Sequence, residues 1–222
     1  MASASLGTAA GTTPGRLLAA CVEAQGSAAH PWPASPTLLK GGDARALADA
    51  VHFLGILHGR YPGVVDHAAS RTQDPAARAW LTQASYAFAG ERAFLARLAV
   101  AAGPLPSTPG AGDSDNVVLS QRHAVEMLAQ SERNGCALGA AMAVVLDWHC
   151  VRSVFDAAAA RFGIEIPPCA VPRPAAVETV ADGFAVAPST QRALLFGAEQ
   201  ILVQHFGLWD LLETRHQARA LS

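Results

Sequence analysis

Charged residues are scarce in this sequence, at 15% of 222 residues, whereas soluble proteins commonly contain about 25%. The hydrophobic share is 51%, which excludes a disordered chain, because such chains combine low hydrophobicity with high net charge. Sixteen basic residues balance eighteen acidic ones, for a net charge of −2. A nucleic-acid partner is therefore not expected, since binding to a phosphate backbone requires a concentrated positive surface.

Cysteine pairs at metal-binding or redox spacing are also missing. The four cysteines, Cys21, Cys136, Cys150 and Cys169, form no C-x-x-C motif, which argues against a zinc knuckle or a thioredoxin-type site. Cys136 and Cys150 fall in one predicted helix, where they would lie about 21 Å apart, too far for a disulfide. We therefore expect a reduced, cytoplasmic protein.

No apolar run is long enough to cross a membrane. The longest, residues 136–146, is followed at once by Asp147 and falls short of the roughly 20 residues that a span needs. No basic segment precedes an apolar stretch near the N-terminus, so we expect no signal peptide. The high alanine content and the use of arginine for every basic residue except Lys40 favour a bacterial source.

Helical periodicity dominates the remaining pattern, and alternating strand patterns are nearly absent. Helices are predicted at about residues 14–25, 44–58, 62–71, 75–102, 117–133, 136–162, 175–184 and 189–218. Their predicted N-terminal caps include Thr13, Asp43, Asp74 and Ser189. The fold class is all-α, a bundle of four to five long helices with two to three short covering helices. We expect a single helical domain over residues 1–222, with residues 1–12 flexible.

A proline- and glycine-rich segment, residues 103–116, joins two of the long helices. Its prolines favour extended backbone and its glycines add conformational freedom. Apart from Leu105 it has no large apolar side chain to anchor it. We expect this loop to be exposed and to be the most mobile internal segment, acting as a passive connector or, alternatively, as a lid.

Seven polar residues project onto apolar helix faces when the predicted helices are drawn at about 100° per residue. They are His58, Glu91, Gln121, Glu132, Asp147, Glu199 and His205. Buried acids from different helices repel each other unless a positive group lies between them. That group is a metal ion or an arginine. The same projection places Asp49, His52 and Arg152 on solvent-facing sides.

One hypothesis is a metal site in the bundle core. Helical bundles build such sites from carboxylate and imidazole ligands on facing helices. The candidates here are Glu91, Asp147 and Glu199, with His205 or His58 supplying nitrogen. Mixed oxygen and imidazole ligands suit iron or manganese, and the chemistry would be redox. The Glu-x-x-His repeat of ferritin-like sites is absent from the core faces.

The alternative hypothesis is a non-enzymatic helical scaffold or a small-molecule-binding protein whose core acids pair with arginine. A high apolar and low charged fraction would leave apolar surface for a ligand or for a homodimer. Gly135 and Gly139 have the spacing of a close helix–helix contact, and close backbone approach to a flat ligand such as haem is the second interpretation. No motif identifies the ligand.

Three segments resemble a family of uncharacterised, all-helical bacterial proteins with no assigned function. The segments are HFLGILHGRYPGVVDHAA at residues 52–69, AGPLPSTPG at 102–110 and MLAQSERNGCALGAAMAVVLDWH at 127–149. The resemblance covers most of the chain. It implies a helical fold but no activity and no site residues.

Overall fold

The structure is a computed structural model that describes residues 13–221, and this range contains α-helices and no strands. The helices are α1 (Pro14–Gln25), α2 (Pro36–Leu39), α3 (Ala44–His58), α4 (Val64–Arg71), α5 (Pro75–Ala102), α6 (Ala111–Ala129), α7 (Cys136–Phe162), α8 (Pro174–Phe184) and α9 (Pro188–Ala220). A 3-10 turn, Ser27–Ala29, follows α1. The predicted all-α class is confirmed. The flexibility expected of residues 1–12 lies outside the described residues.

Side-chain caps fix several helix starts where the sequence predicts them. Asp43 accepts a hydrogen bond from the backbone N–H of Ala46 at 2.8 Å, and Asp74 accepts one from Ala77 at 2.8 Å. These bonds satisfy N–H groups that have no partner inside the helix. The predicted Ser189 cap is wrong, because α9 already begins at Pro188, and proline is favoured at the first helical position.

Helix α7 runs through the centre of the protein and packs closely against α9. A Cβ added at Gly139 would overlap the backbone oxygen of Leu194, and one added at Gly197 would overlap the backbone oxygen of Cys136. The close-packing interpretation of the Gly135–Gly139 spacing is therefore confirmed. Within residues 13–221, α7 is the one helix long and apolar enough for a membrane span, but 78% of its most apolar window is buried inside the structure. That burial is typical of a core helix.

The loop predicted over residues 103–116 is shorter than expected. Helix α6 begins at Ala111, after Gly110 adopts a left-handed conformation with φ of 74°. Asp113 then lies in the first turn, where a negative charge is favourable. The exposure prediction is wrong at Thr108, which is buried and accepts a hydrogen bond from Arg219 at 2.8 Å.

Two polar residues that were predicted to face solvent are buried. Asp49 is bound by Arg215 and Arg219 from α9. Arg152 is bound by Glu91 from α5. Projection of a single helix fails here because a charge from a neighbouring helix offsets the desolvation cost of burying the polar side chain. Glu132 shows the reverse error, since it lies exposed beyond the end of α6.

Candidate functional site

Three buried side chains from different helices form a continuous hydrogen-bonded chain. Nδ1 of His205, on α9, lies 2.6 Å from Oδ2 of Asp147, on α7. Nε2 of His205 lies 2.8 Å from Nε2 of His58, the last residue of α3. The exposed fractions are 2% for Asp147, 1% for His205 and 9% for His58. The structure thus brings three of the five predicted site residues together.

Ser27 holds the carboxylate end of this chain. Its backbone N–H donates to Oδ1 of Asp147 at 2.6 Å, and its hydroxyl donates to Oδ2 at 2.5 Å. The indole N–H of Trp209 donates to the Ser27 hydroxyl at 2.8 Å. Burial raises the pKa of Asp147, but the hydrogen bonds and charge of His205 and the bonds from Ser27 outweigh it, and the net pKa is lowered. Asp147 is therefore ionised at neutral pH.

His58 is the other end of the chain, and it is neutral. Burial and the positive charge that His205 can carry both hold the pKa of His58 well below its ordinary value. Trp148 packs edge-on against the His58 ring, with centroids 5.5 Å apart. Among residues 13–221, Nε2 of His58 has a hydrogen-bond partner and Nδ1 has none.

The order of the chain determines what Nδ1 of His58 can do. Because Asp147 is ionised, Nδ1 of His205 carries a proton and donates it to the carboxylate. When His205 is neutral, its Nε2 accepts from His58, and Nδ1 of His58 is an acceptor. When His205 takes up a proton, its Nε2 donates to His58, and Nδ1 of His58 becomes a donor. One proton added to His205 thus changes Nδ1 of His58 from a hydrogen-bond acceptor to a donor. The added positive charge stays on His205, beside Asp147.

His58 lines a pocket of about 40 Å³ among α3, α4, α5, α6 and α7. This volume holds about three water molecules or one end of a small ligand. Its interior is apolar and buried, with side chains that include Val64, Phe88, Val125 and Val144. Its rim carries Arg60, Arg92, Arg122, His67 and Glu126.

Glu91 belongs to a separate ion pair. Its Oε1 accepts from Nη1 of Arg152 at 2.7 Å, and its Oε2 accepts from the indole N–H of Trp148 at 2.9 Å. Arg152 also donates to Asp156 at 2.7 Å and to the backbone oxygen of Pro167. The arginine partner that was the alternative for the core acids is therefore present for Glu91.

The predicted metal ligands do not converge on one point. Glu91 is held by Arg152, and Glu199 is exposed on α9. In the part of the chain that the structure describes, no group of three or more His, Cys, Asp or Glu side chains could hold a metal ion. Iron or manganese binding stays a prediction that the side-chain arrangement does not favour.

The sequence gives little signal for the residues that complete the site. Ser27 lies in a glycine- and proline-rich stretch, where no periodic pattern marks it as buried. Arg152 looks like a solvated residue because Asp156 stands four positions later, at ion-pair spacing on a helix surface. Only the crossing of α5 and α7 shows that Arg152 faces Glu91.

Comparison with known proteins places the chain in a family but assigns it no activity. Neither the curated proteins nor the solved structures contain a significant match. The sequence model of the Family of unknown function (DUF6975) matches residues 22–220. This match confirms the predicted resemblance to an uncharacterised family, and because it spans most of the chain, the protein belongs to that family.

Proposed function

We propose that this protein binds a small organic molecule in the pocket that His58 lines. Nδ1 of His58 is the polar group to which the ligand forms a hydrogen bond. One observation carries the proposal: the buried imidazole lines the pocket, and its second ring nitrogen has no partner in residues 13–221. A polar atom that a ligand covers needs a hydrogen bond from that ligand, because leaving it unpaired costs about 1–3 kcal/mol. A water supplies that bond in the free protein, and a ligand replaces the water.

A purely structural role explains the Asp147 end of the hydrogen-bonded chain but not the His58 end. The Asp147 end fastens the Ser27–Ala29 turn to α7 and α9 through Ser27 and Trp209. That fastening does not require His58, which contributes a further buried polar ring beside a pocket. Buried titratable groups in a concave site with a specific charged partner are typical of functional positions.

The pocket also has the composition of a ligand site. Apolar side chains cover its interior, one imidazole stands among them, and charged groups lie at the mouth. Small-molecule sites commonly combine apolar walls with a few placed polar groups. At about 40 Å³ the cavity admits only one end of a ligand. The rest of the molecule extends out of the cavity past the rim.

Binding of butan-1-ol tests this proposal, because its hydroxyl can bond to Nδ1 and its alkyl chain fits the apolar walls. Valine methyl signals report binding by NMR, and Val64 and Val125 line the pocket. We expect saturable shifts of these signals in the wild type. Replacement His58→Phe should weaken binding about fivefold, the loss expected for one hydrogen bond.

The matched control is His30→Phe. His30 is also a buried histidine, bonded to Asp210, but it does not line the pocket. This variant should bind butan-1-ol like the wild type. Shifts confined to other surfaces, or equal affinity in the His58 and His30 variants, would overturn the proposal.

The geometry favours this function over an iron or manganese redox centre, because Arg152 already neutralises Glu91 and Glu199 faces solvent. We also propose a reducing, cytoplasmic location, which the four free cysteines support. Self-association as a homodimer is a further proposal, supported by exposed apolar side chains such as Met127 on α6 and Val203 on α9. Light scattering tests it: a dimer mass supports it and a monomer mass at all concentrations rejects it.

A further inference from the structure

The rim of the pocket carries more positive than negative charge, and this imbalance points to the class of ligand. Resting on the proposed function, we infer that the ligand is a short-chain hydroxy-monocarboxylate, with its hydroxyl on Nδ1 of His58, its alkyl chain against the apolar walls and its carboxylate on Arg122 and Arg60.

Two guanidinium groups at the rim share one carboxylate. Nε of Arg122 lies 3.2 Å and Nη1 of Arg60 lies 3.7 Å from the same Oε1 of Glu126. The third arginine, Arg92, is matched by Asp66, with Nη1 at 2.9 Å from Oδ2. Three guanidiniums therefore face two carboxylates, which leaves one positive charge for a monoanion.

Arg122 has the geometry to receive a carboxylate. Its contact with Glu126 uses Nε, so the two terminal nitrogens of the guanidinium remain for a ligand. A guanidinium binds a carboxylate through two parallel N–H donors, which supplies both energy and orientation. The Arg122 side chain is 29% exposed, so it stands at the mouth and the ligand carboxylate stays partly solvated.

The interior limits the rest of the ligand. Phe88, Val125 and Val144 offer only apolar surface, and the cavity of about 40 Å³ has no room for a long chain or a fused ring. A carboxylate placed inside would lose most of its hydration, which is costly without a charged partner. The charged end therefore remains at the rim, and the hydroxyl end of the short alkyl chain enters.

The test compares 4-hydroxybutyrate with butan-1-ol, which has the same chain length and the same hydroxyl but no charge. At low ionic strength we expect 4-hydroxybutyrate to bind about tenfold more tightly, as one charge-assisted hydrogen-bond pair provides. Butyrate, which lacks the hydroxyl, should bind more weakly than 4-hydroxybutyrate, because Nδ1 of His58 then has no partner.

Two rim variants should move 4-hydroxybutyrate affinity in opposite directions. Arg122→Gln removes the proposed carboxylate partner and should return 4-hydroxybutyrate to the affinity of butan-1-ol. Glu126→Gln removes the competing acid and should tighten 4-hydroxybutyrate binding about threefold, a modest effect at an exposed site. Arg45→Gln is the charge-matched control, since Arg45 is exposed on α3 and does not line the pocket. None of the three should change butan-1-ol affinity.

The outcomes separate the two proposals. If butan-1-ol binds at the pocket but 4-hydroxybutyrate binds no more tightly, the carboxylate inference is wrong and the proposed function stands. The inference is also wrong if Arg122→Gln and Arg45→Gln weaken 4-hydroxybutyrate binding equally, since the effect is then general electrostatics. If neither compound shifts the pocket signals, the proposed function itself fails.

Discussion

Nε2 of His58 lies 2.8 Å from Nε2 of His205, so one proton must lie between the two rings. The Asp147 carboxylate holds a proton on Nδ1 of His205, so a neutral His205 can only accept the bond at Nε2 and a protonated His205 can only donate it. Nδ1 of His58 is then an acceptor or a donor accordingly. This relationship gives the cavity a polar group that is an acceptor or a donor without carrying charge.

His58 should make stability depend on pH. Its pKa is well below the ordinary value in the folded protein because of burial and His205, whereas an unfolded chain protonates this residue near pH ~6.5. Below that pH the unfolded state binds one more proton, so the free energy of unfolding falls as pH falls, by up to about 1.4 kcal/mol per pH unit. The variant His58→Phe should lack this component.

Urea unfolding between about pH 5 and pH 7.5 measures how the free energy of unfolding depends on pH in the wild type and in His58→Phe. A wild type and a His58→Phe variant with parallel pH dependence would show that His58 titrates normally in the folded state, against the buried, neutral ring described above.

The buried Glu91–Arg152 pair should contribute more to stability than the partly exposed Glu126–Arg122 pair at the pocket rim. Glu91→Gln removes the buried counter-charge of Arg152, which keeps its bond to Asp156, and should cost about 1.5–3 kcal/mol, as for a hydrogen bond to a charged group. Glu126→Gln breaks the contact between Glu126 and Arg122, two partly exposed side chains, and should cost about 0–1 kcal/mol. Denaturant midpoints of the two variants give the comparison. Similar losses for both would mean that burial of Arg152 does not raise the cost.

The crossing of α7 and α9 should tolerate no added methyl group. Gly139→Ala places a Cβ on the backbone of Leu194, and the helices must separate, at a cost of about 3 kcal/mol or more. Gly90→Ala is the control, because Gly90 is in α5 and a Cβ there meets nothing within 4 Å. It should stabilise the protein by about 0.5–1 kcal/mol, since alanine is the better helix former. Thermal unfolding of both variants should therefore show shifts of opposite sign.

The 103–110 connection should depend on Thr108 for its anchoring. The Thr108 hydroxyl oxygen accepts from Arg219 at 2.8 Å and Arg215 at 3.1 Å. Thr108→Val removes that acceptor, but both donors keep bonds to Asp49, so the cost should be about 0.5–1.5 kcal/mol, and the connection should be cleaved faster by protease. Thr82→Val, at an exposed position on α5, is the control. Equal cleavage rates in the two variants would show that the Thr108 bonds do not hold the loop.

Helix positions could be predicted because their signals are local. Asp43 and Asp74 cap α3 and α5 through bonds to residues three positions later, and glycine and proline mark the ends of several other helices. The burial of His58, Asp147 and His205 was also predictable, because each lies among apolar neighbours at helical spacing. Helix α6 is the exception, since Gly110 starts it earlier than the proline-rich sequence suggests.

The partners of the buried groups could not be predicted, because they depend on how helices cross. Asp147 and His205 are 58 positions apart, and Ser27 is 120 positions from Asp147. A projection of α7 alone shows Asp147 in the core but cannot decide between a metal ion, an arginine and a histidine as its partner. The rim charges have the same origin, since Arg60 follows α3 and Glu126 lies on α6.

Nitrogen-15 NMR of histidine-labelled protein measures the protonation of His58 directly, because it distinguishes the two neutral forms of a histidine ring from the charged form. As pH is lowered through the ordinary histidine range near pH ~6.5, the His58 ring should remain in a neutral form, because burial and His205 hold its pKa well below that range. A His58 ring that becomes charged near pH ~6.5 would contradict the buried, neutral end of the hydrogen-bonded chain.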